Sequence, residues 1–185
     1  CLKRGEWSKN TFLDSSYSLN GKMLGVIGAG NIGRQTADKA RAFGARIQYY
    51  DEYRLSPEME KKYELEYTAL DDLIATSDII TLHIPLTQKT RHLIGSGQIS
   101  RMKQGAILIN TARGGLVDEK ALADAVREGR LLGAGIDCVE EEPLSPDDPL
   151  LNTPGIIVTP HIGGGTADIA DRIIPMLVED IEDYA

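Results

Sequence analysis

The sequence predicts an α/β fold, a doubly wound parallel sheet with helices on both faces, and three observations carry that expectation. Short apolar runs recur at 23–28 (MLGVIG), 46–50 (RIQYY), 78–84 (DIITLHI), 106–110 (AILIN), 133–137 (GAGID) and 155–159 (GIIVT). Most are continuous rather than alternating, which suits strands covered on both sides. Segments of helical period lie between them, so strand and helix alternate. Three glycines, Gly28, Gly30 and Gly33, follow the first run at once, where a strand has to turn into a helix.

Taken in order, residues 1–20 are mostly polar, hold the one tryptophan of the sequence, Trp7, and read as a connecting segment. The first strand runs into a helix predicted over 32–43, and the second strand ends at Asp51. A short helix is predicted over 70–76. Asp118 stands before the periodic stretch EKALADAVRE and Gly129 follows it, so the helix over 118–128 has a start signal and a stop signal. SPDDPLLNTPG, 145–155, is the clearest turn-rich connection. The last helix, 166–184, contains Pro175, whose missing donor and ring predict a kink or a split into two. Residues 21–165 make up one domain in this reading, and 166–185 lead away from it.

Composition excludes several classes. With 185 residues, 42% of them apolar, the chain can bury a sizeable core, and no apolar run approaches the length of a membrane span. The first residue is Cys1 and no signal-like segment precedes the core, so the chain reads as a piece of a longer polypeptide. Its two cysteines, Cys1 and Cys138, are too few for a disulfide scaffold and lack paired metal spacing, so a reducing compartment and no metal are expected. A net charge of -8 repels nucleic-acid phosphates and anionic lipid, so neither is an expected partner.

That same charge makes an anionic ligand dependent on local groups, and the glycines supply them. In a strand-turn-helix setting, the first glycine of G-x-G-x-x-G allows a tight turn. The second lets backbone approach a pyrophosphate, and the third lets helix and strand pack closely. The amides of Asn31, Ile32 and their neighbours would then meet the ligand at the helix N-terminus. Asp51 lies 18 residues beyond Gly33 at the end of the next strand. A carboxylate there accepts the ribose hydroxyls of NAD and repels the extra phosphate of NADP. NAD is the expected cofactor, with Arg54 three residues on as the one cation that argues the other way.

Three further segments place ionisable groups just past strand ends, where α/β sheets hold ligands: INTARGG (109–115), DCVEEEP (137–143) and TPHIGGG (159–165). Singly, Arg113 reads as a surface cation, Glu142 as part of a solvated acidic run and His161 as a hydrogen-bonded histidine. Jointly they bring a cation, a carboxylate and an imidazole to the edge that binds the dinucleotide, which is what hydride transfer needs.

These motifs, with DIITLHIPLTQKTRHLI, MKQGAILINTARGGLVDEKAL and GAGIDCVEEEPL, resemble the Rossmann-type nucleotide-binding domain of the NAD-dependent D-2-hydroxyacid dehydrogenases. That family includes phosphoglycerate, D-lactate and glyoxylate-reducing members. The resemblance runs from about Gly21 to the last helix. It implies that Arg113, Glu142 and His161 are the catalytic set and that Asp137 contacts the nicotinamide amide. It also implies that His83, Pro85, Thr111, Ala112, Arg113, His161 and Gly163 line the cofactor cleft. A cytoplasmic homodimer and a second, substrate-binding domain largely absent from this chain are further implications, so the chain alone should bind NAD but turn over weakly.

The roles follow from the reaction. Oxidising a 2-hydroxy acid needs a base for the hydroxyl proton while hydride leaves C2, and reduction needs the same group as an acid. A histidine, with an ordinary pKa of ~6.5, can do both near neutrality. Glu142 would hydrogen-bond the ring of His161, fix its tautomer and favour its charged form. Arg113 would grip the substrate carboxylate with its planar fork. Formate dehydrogenases of the superfamily carry glutamine in place of Glu142, which argues against formate. Cys138 reads as a small core filler. The alternative is an NAD(H)-sensing binding module of corepressor type; a hydrolase of the adenosylhomocysteine type lacks support from the Arg, Glu and His set.

Overall fold

The computed structural model describes residues 4, 5, 7 and 16–184. Most of the expected connecting segment, Cys1 included, therefore lies outside the described residues; Trp7 is described and is open to solvent. The elements are β1 (Met23–Ile27), α1 (Asn31–Ala42), β2 (Arg46–Tyr50), α2 (Pro57–Tyr63), β3 (Glu66–Tyr67), α3 (Leu70–Thr76) and β4 (Ile79–Leu82). After these come α4 (Ser96–Arg101), β5 (Ala106–Asn110), α5 (Glu119–Arg127), β6 (Leu131–Ile136), β7 (Ile156–Val158) and α6 (Ile169–Tyr184).

All strand pairs are parallel and the order is β3-β2-β1-β4-β5-β6-β7, the doubly wound sheet that the alternating pattern predicts. The chain winds outward from β1 to β3, returns, and winds outward the other way from β4 to β7. The reversal falls between β1 and β4, where connections leave in opposite directions and an open α/β sheet has its crevice.

The core explains why the apolar runs are continuous. In β1, Leu24 and Val26 join Ala37, Ile47, Tyr49 and Leu65 in one cluster, while Ile27 joins Leu73, Ile80, Leu82, Leu108 and Leu122 in another. Successive side chains of a strand point to opposite faces, so a strand covered on both sides is mostly apolar, and a polar residue within it, such as Gln48, is buried with hydrogen-bond partners. Each fully buried Leu or Ile contributes about 1.5–3 kcal/mol over its exposed state, and both layers draw on β1.

The structure departs from the sequence reading in its short elements. Helices α2 and α4 and strand β3 fall in segments for which no element is predicted. Helix α2 nonetheless has local signals: Ser56 caps it by accepting from Met59 N, Pro57 is its first residue, and Glu58 and Glu60 lie in the first turn. Strand β6 begins at Leu131 rather than 133, and α6 begins at Ile169 rather than 166. Pro175 does not split α6, which runs from Ile169 to Tyr184 as one helix. A proline removes one backbone bond, and the turns on either side keep theirs. Helix α5 is capped as expected, with Asp118 accepting from Ala121 N at 3.0 Å.

Candidate active site

The glycine turn joins the end of β1 to the start of α1. His83 N donates to Ile27 O at 2.7 Å, which draws the chain after β4 against the end of β1. Gly28, with φ +98, turns there so tightly that a Cβ would stand 2.6 Å from the carbonyl oxygen of His83. At Gly33 a Cβ would stand 2.0 Å from the Gly28 carbonyl oxygen, so α1 can close on β1 only without a side chain. Gly30 is different: nothing lies within 4 Å of where its Cβ would be. It is the N-cap of α1 and no side chain caps that helix, so the positive end of the helix faces open space of the kind a pyrophosphate fills. The residues present thus fit the phosphates of a dinucleotide.

Asp51 is tied into this turn. Its Oδ2 accepts from Ala29 N at 2.8 Å and its Oδ1 from Tyr53 N at 3.1 Å. Sequence places the carboxylate near the ribose; the structure adds that it anchors the loop that would carry the phosphates. Arg54, the cation that argued for NADP, is turned toward Glu60.

Two cavities continue along the same edge. One, of ≈ 350 Å³, is lined by Ile32, His83, Pro85, Thr111, Ala112 and Arg113, and so unites the start of α1 with the loops after β4 and β5. His83 packs its Nε2 3.0 Å from Thr81 Oγ1, and burial holds its pKa below the usual histidine value, which keeps the ring neutral. The other cavity, of ≈ 560 Å³, is lined by Asp137, Glu142, Thr159 and His161 among others. There His161 Nδ1 lies 2.9 Å and 3.1 Å from the two carboxylate oxygens of Glu142.

Asp137 holds the histidine loop in place. It is buried, and its Oδ1 accepts from Thr159 Oγ1 and Ile162 N, its Oδ2 from Gly163 N. His161 N donates to the Asp137 carbonyl oxygen at 2.8 Å, with φ at +52. The Thr159 hydroxyl above all, with the two amides, holds the Asp137 carboxyl below the usual carboxylate range despite burial. Sequence singles out Asp137 for the nicotinamide amide; in the structure both carboxylate oxygens are bonded to the loop that carries His161.

Arg113 stands apart from the His161–Glu142 pair, on the wall of the smaller cavity, with Nη1 donating to Ala112 O at 2.6 Å. Cys138 links the two: its thiol donates to Ala112 O at 3.5 Å, and burial, with the nearby Asp137 and Glu142 charges, pushes the thiol pKa up against the pull of Arg113. It is 2% exposed, the core filler expected. Gly114 lies so close to the next loop that a Cβ would overlap the Val139 carbonyl.

Sequence reasoning misses the residues that shape these loops. Buried Asn110 donates to Arg113 O at 2.7 Å and accepts from Ala112 N at 3.1 Å, and so sets the turn that presents Arg113. Glu140 pairs with Arg91 at 2.6 Å and His92 at 3.0 Å, while its own amide donates to Glu119 at 2.7 Å, fastening the loops after β4 and β6 to α5. A polar residue closing a continuous apolar run was the available signal for Asn110. Among the described residues no group of three His, Cys, Asp or Glu is placed to hold a metal, and no helix is long and apolar enough to cross a membrane.

Comparison with known proteins places the chain in one family. The model of the NAD-binding domain of D-isomer specific 2-hydroxyacid dehydrogenases matches residues 1–163. The chain is 41% identical over 182 residues to a glyoxylate reductase of Korarchaeum cryptofilum, covering 97% of this chain and 54% of that protein. It is 45% identical over 182 residues to a D-3-phosphoglycerate dehydrogenase of Methanocaldococcus jannaschii, covering 98% of this chain and 34% of that one. Among solved structures, a D-lactate dehydrogenase from Aquifex aeolicus complexed with NAD and lactic acid is similar at a TM-score of 0.85 and 35% identity, over 99% of this chain and 59% of that one. The chain spans about half the length, or less, of the relatives it matches.

Proposed function

The chain belongs to the D-isomer specific 2-hydroxyacid dehydrogenases as their NAD-binding domain, and from that premise we propose that it carries the reacting half of a reversible 2-hydroxy acid/2-keto acid dehydrogenase. One observation carries the assignment: an imidazole hydrogen-bonded to a carboxylate, His161 to Glu142 at 2.9 Å, on a loop that a buried aspartate clamps at the edge of the sheet where the glycine turn lies.

Bound NAD(H) supplies or accepts the hydride at C2 of the substrate. The residues of the chain do the rest. Gly30, Asn31 and Ile32 seat the diphosphate at the start of α1, and Asp51 takes the ribose. His83, Pro85, Thr111, Ala112 and Gly163 would line the cofactor cleft, and Asp137 would contact the nicotinamide amide. His161 gives a proton to the carbonyl oxygen during reduction and takes it back during oxidation. Glu142 orients the ring through Nδ1, which leaves Nε2 for substrate. Arg113, swung from Ala112 O, grips the carboxylate of the acid. Reduction consumes a proton, so its rate falls as pH rises while oxidation gains.

Residues 21–165 form the dinucleotide-binding domain in this proposal, with 1–20 and 166–185 leading to a substrate domain. The His161 and Glu142 side chains are 47% and 44% exposed, which supports that division, because a site so open does not exclude water by itself. The whole protein is proposed to be a cytoplasmic homodimer, testable by light scattering and fractionation. Nothing among the relatives favours the NAD(H)-sensing module.

The test follows NADH oxidation by the full-length protein against glyoxylate, hydroxypyruvate, phosphohydroxypyruvate and pyruvate. Reduction of at least one is expected, and His161→Gln is expected to abolish it with NADH affinity nearly intact. A His161→Gln protein that reduces keto acids at the parent rate overturns the proposal.

A further inference from the structure

The glycine turn and Asp51 account for NAD, but they leave Arg54 unexplained. It is a cation three residues past the ribose-binding carboxylate, on the segment that Asp51 itself folds back by accepting from Tyr53 N. In many dinucleotide folds an arginine in such a place accommodates a 2′-phosphate. Here it is held elsewhere. Arg54 Nε donates to Glu60 Oε1 at 2.8 Å and Nη2 to Glu60 Oε2 at 3.1 Å, a two-pronged pair, while the guanidinium lies 4.9 Å from the centre of the Tyr67 ring. Glu60 is in turn fixed from behind, since Tyr49 Oη donates to its Oε1 at 2.7 Å and Leu55 N donates to that hydroxyl at 3.0 Å. The Tyr49 side chain lies in the core, so the acceptor that holds Arg54 is anchored to a buried group.

The other cations of this edge are held less well or differently. Lys89 reaches Glu52 at 3.4 Å with both side chains largely in water, a pair of little strength. Arg34 serves the glycine turn, donating to Ala29 O and Asn31 Oδ1, and stacks over Tyr63.

We infer that Glu60, by holding Arg54 on Tyr67 and away from the ribose of the bound dinucleotide, is a second determinant of the choice of NAD over NADP, acting behind Asp51. The inference rests on the dinucleotide reading of this site. Two barriers then stand against NADP: the charge of Asp51, which repels the 2′-phosphate, and the engagement of Arg54 by Glu60, which withholds that cation from it. Removal of Asp51 alone lifts only the first.

The experiment titrates NADH and NADPH, by ligand fluorescence, into the parent protein, Asp51→Ser, Asp51→Ser/Glu60→Gln, Asp51→Ser/Arg54→Ala and the triple variant. Circular dichroism checks the fold of each. Glutamine keeps an oxygen for Tyr49 Oη and loses the charge that holds Arg54. Asp51→Ser is expected to weaken NADH and to improve NADPH by less than about threefold, because one charge is removed and none is supplied. Adding Glu60→Gln is expected to tighten NADPH by about tenfold or more, as suits one new charge-assisted phosphate contact. Arg54→Ala in the triple variant is expected to erase that gain. Should Glu60→Gln not fold, Asp51→Ser/Arg54→Ala still decides: with Arg54 withheld, its loss leaves NADPH affinity where Asp51→Ser has it. A tenfold fall in that variant, or NADPH binding in Asp51→Ser as tight as in the Glu60→Gln double, overturns the inference. A parent protein that binds no NADH overturns the dinucleotide reading itself, a separate result.

Discussion

The glycine turn and the histidine loop occupy the same edge of one sheet and are built in opposite ways. The turn is backbone packed on backbone: Gly28 against His83, Gly33 against Gly28, with Ala29 at 1% exposure. The histidine loop is held by side chains, Asp137 to Ile162 and Gly163, Glu142 to His161, and its functional groups stand in water. A phosphate cradle of the kind proposed for the turn works through fixed backbone amides. A proton-transfer group has to meet substrate in a dry enclosure, which demands covering surface from elsewhere.

The largest effect expected to sharpen this contrast is at Glu142. Glu142→Gln keeps the shape and removes the charge beside His161, so keto-acid reduction by the full-length enzyme should fall by roughly 10²-fold or more, while NADH titration of the same variant changes little. Equal losses in both would mean that the two regions are not separable.

Next comes a pair of glycine variants. Gly33→Ala drives a methyl into the Gly28 carbonyl, which is backbone and cannot step aside, so a loss of about 1–3 kcal/mol is expected in urea unfolding. Gly30→Ala meets open space and a backbone conformation alanine tolerates, so its stability should stay within about 0.5 kcal/mol of the parent. Its NADH affinity should nonetheless drop, because the methyl occupies the phosphate position.

Asp137→Asn tests the clamp. The amide places an NH₂ among groups that are themselves donors, and a loss of about 1–2 kcal/mol is expected near neutrality. The Asp137 carboxyl titrates below its usual range when folded, so its contribution is present above about pH 4 and is lost as pH falls through the lower folded value. The gap in Tm between parent and variant should therefore close on acidification below pH ~4.

The smallest effect is at His83. The half-buried ring holds its proton less well than an unfolded one, so the unfolded state binds more protons below pH ~6.5 and the parent loses stability as pH falls through that point. His83→Gln should flatten the dependence of Tm on pH as pH falls below about 6.5.

Much of this was legible in the chain. The continuous runs that become β1, β4 and β5 could only be strands with two covered faces, and Gly28, Gly30 and Gly33 have spacings that make sense at one kind of turn. His161, Glu142 and Arg113 were legible as chemistry, and the structure joins the first two directly while Arg113 faces the neighbouring cavity. Two short elements were not: β3 has two residues, and α2, unlike the equally short α3, buries no residue and so has no apolar face to show a period. The clamp by Asp137 was hidden for another reason. Its partners, 22 to 26 residues away, arrive only because β7 pairs with β6 in a register that sets Ile136 opposite Val158.

β1 lies between β2 and β4 and feeds apolar side chains into both layers of the core, through Leu24 and Val26 on one side and Ile27 on the other. Neither layer can open without it, so the amides of Val26 and Ile27 should be among the last to exchange with deuterated water, released only in global unfolding. The glycine turn begins one residue later, and it inherits the persistence of the strand from which it springs.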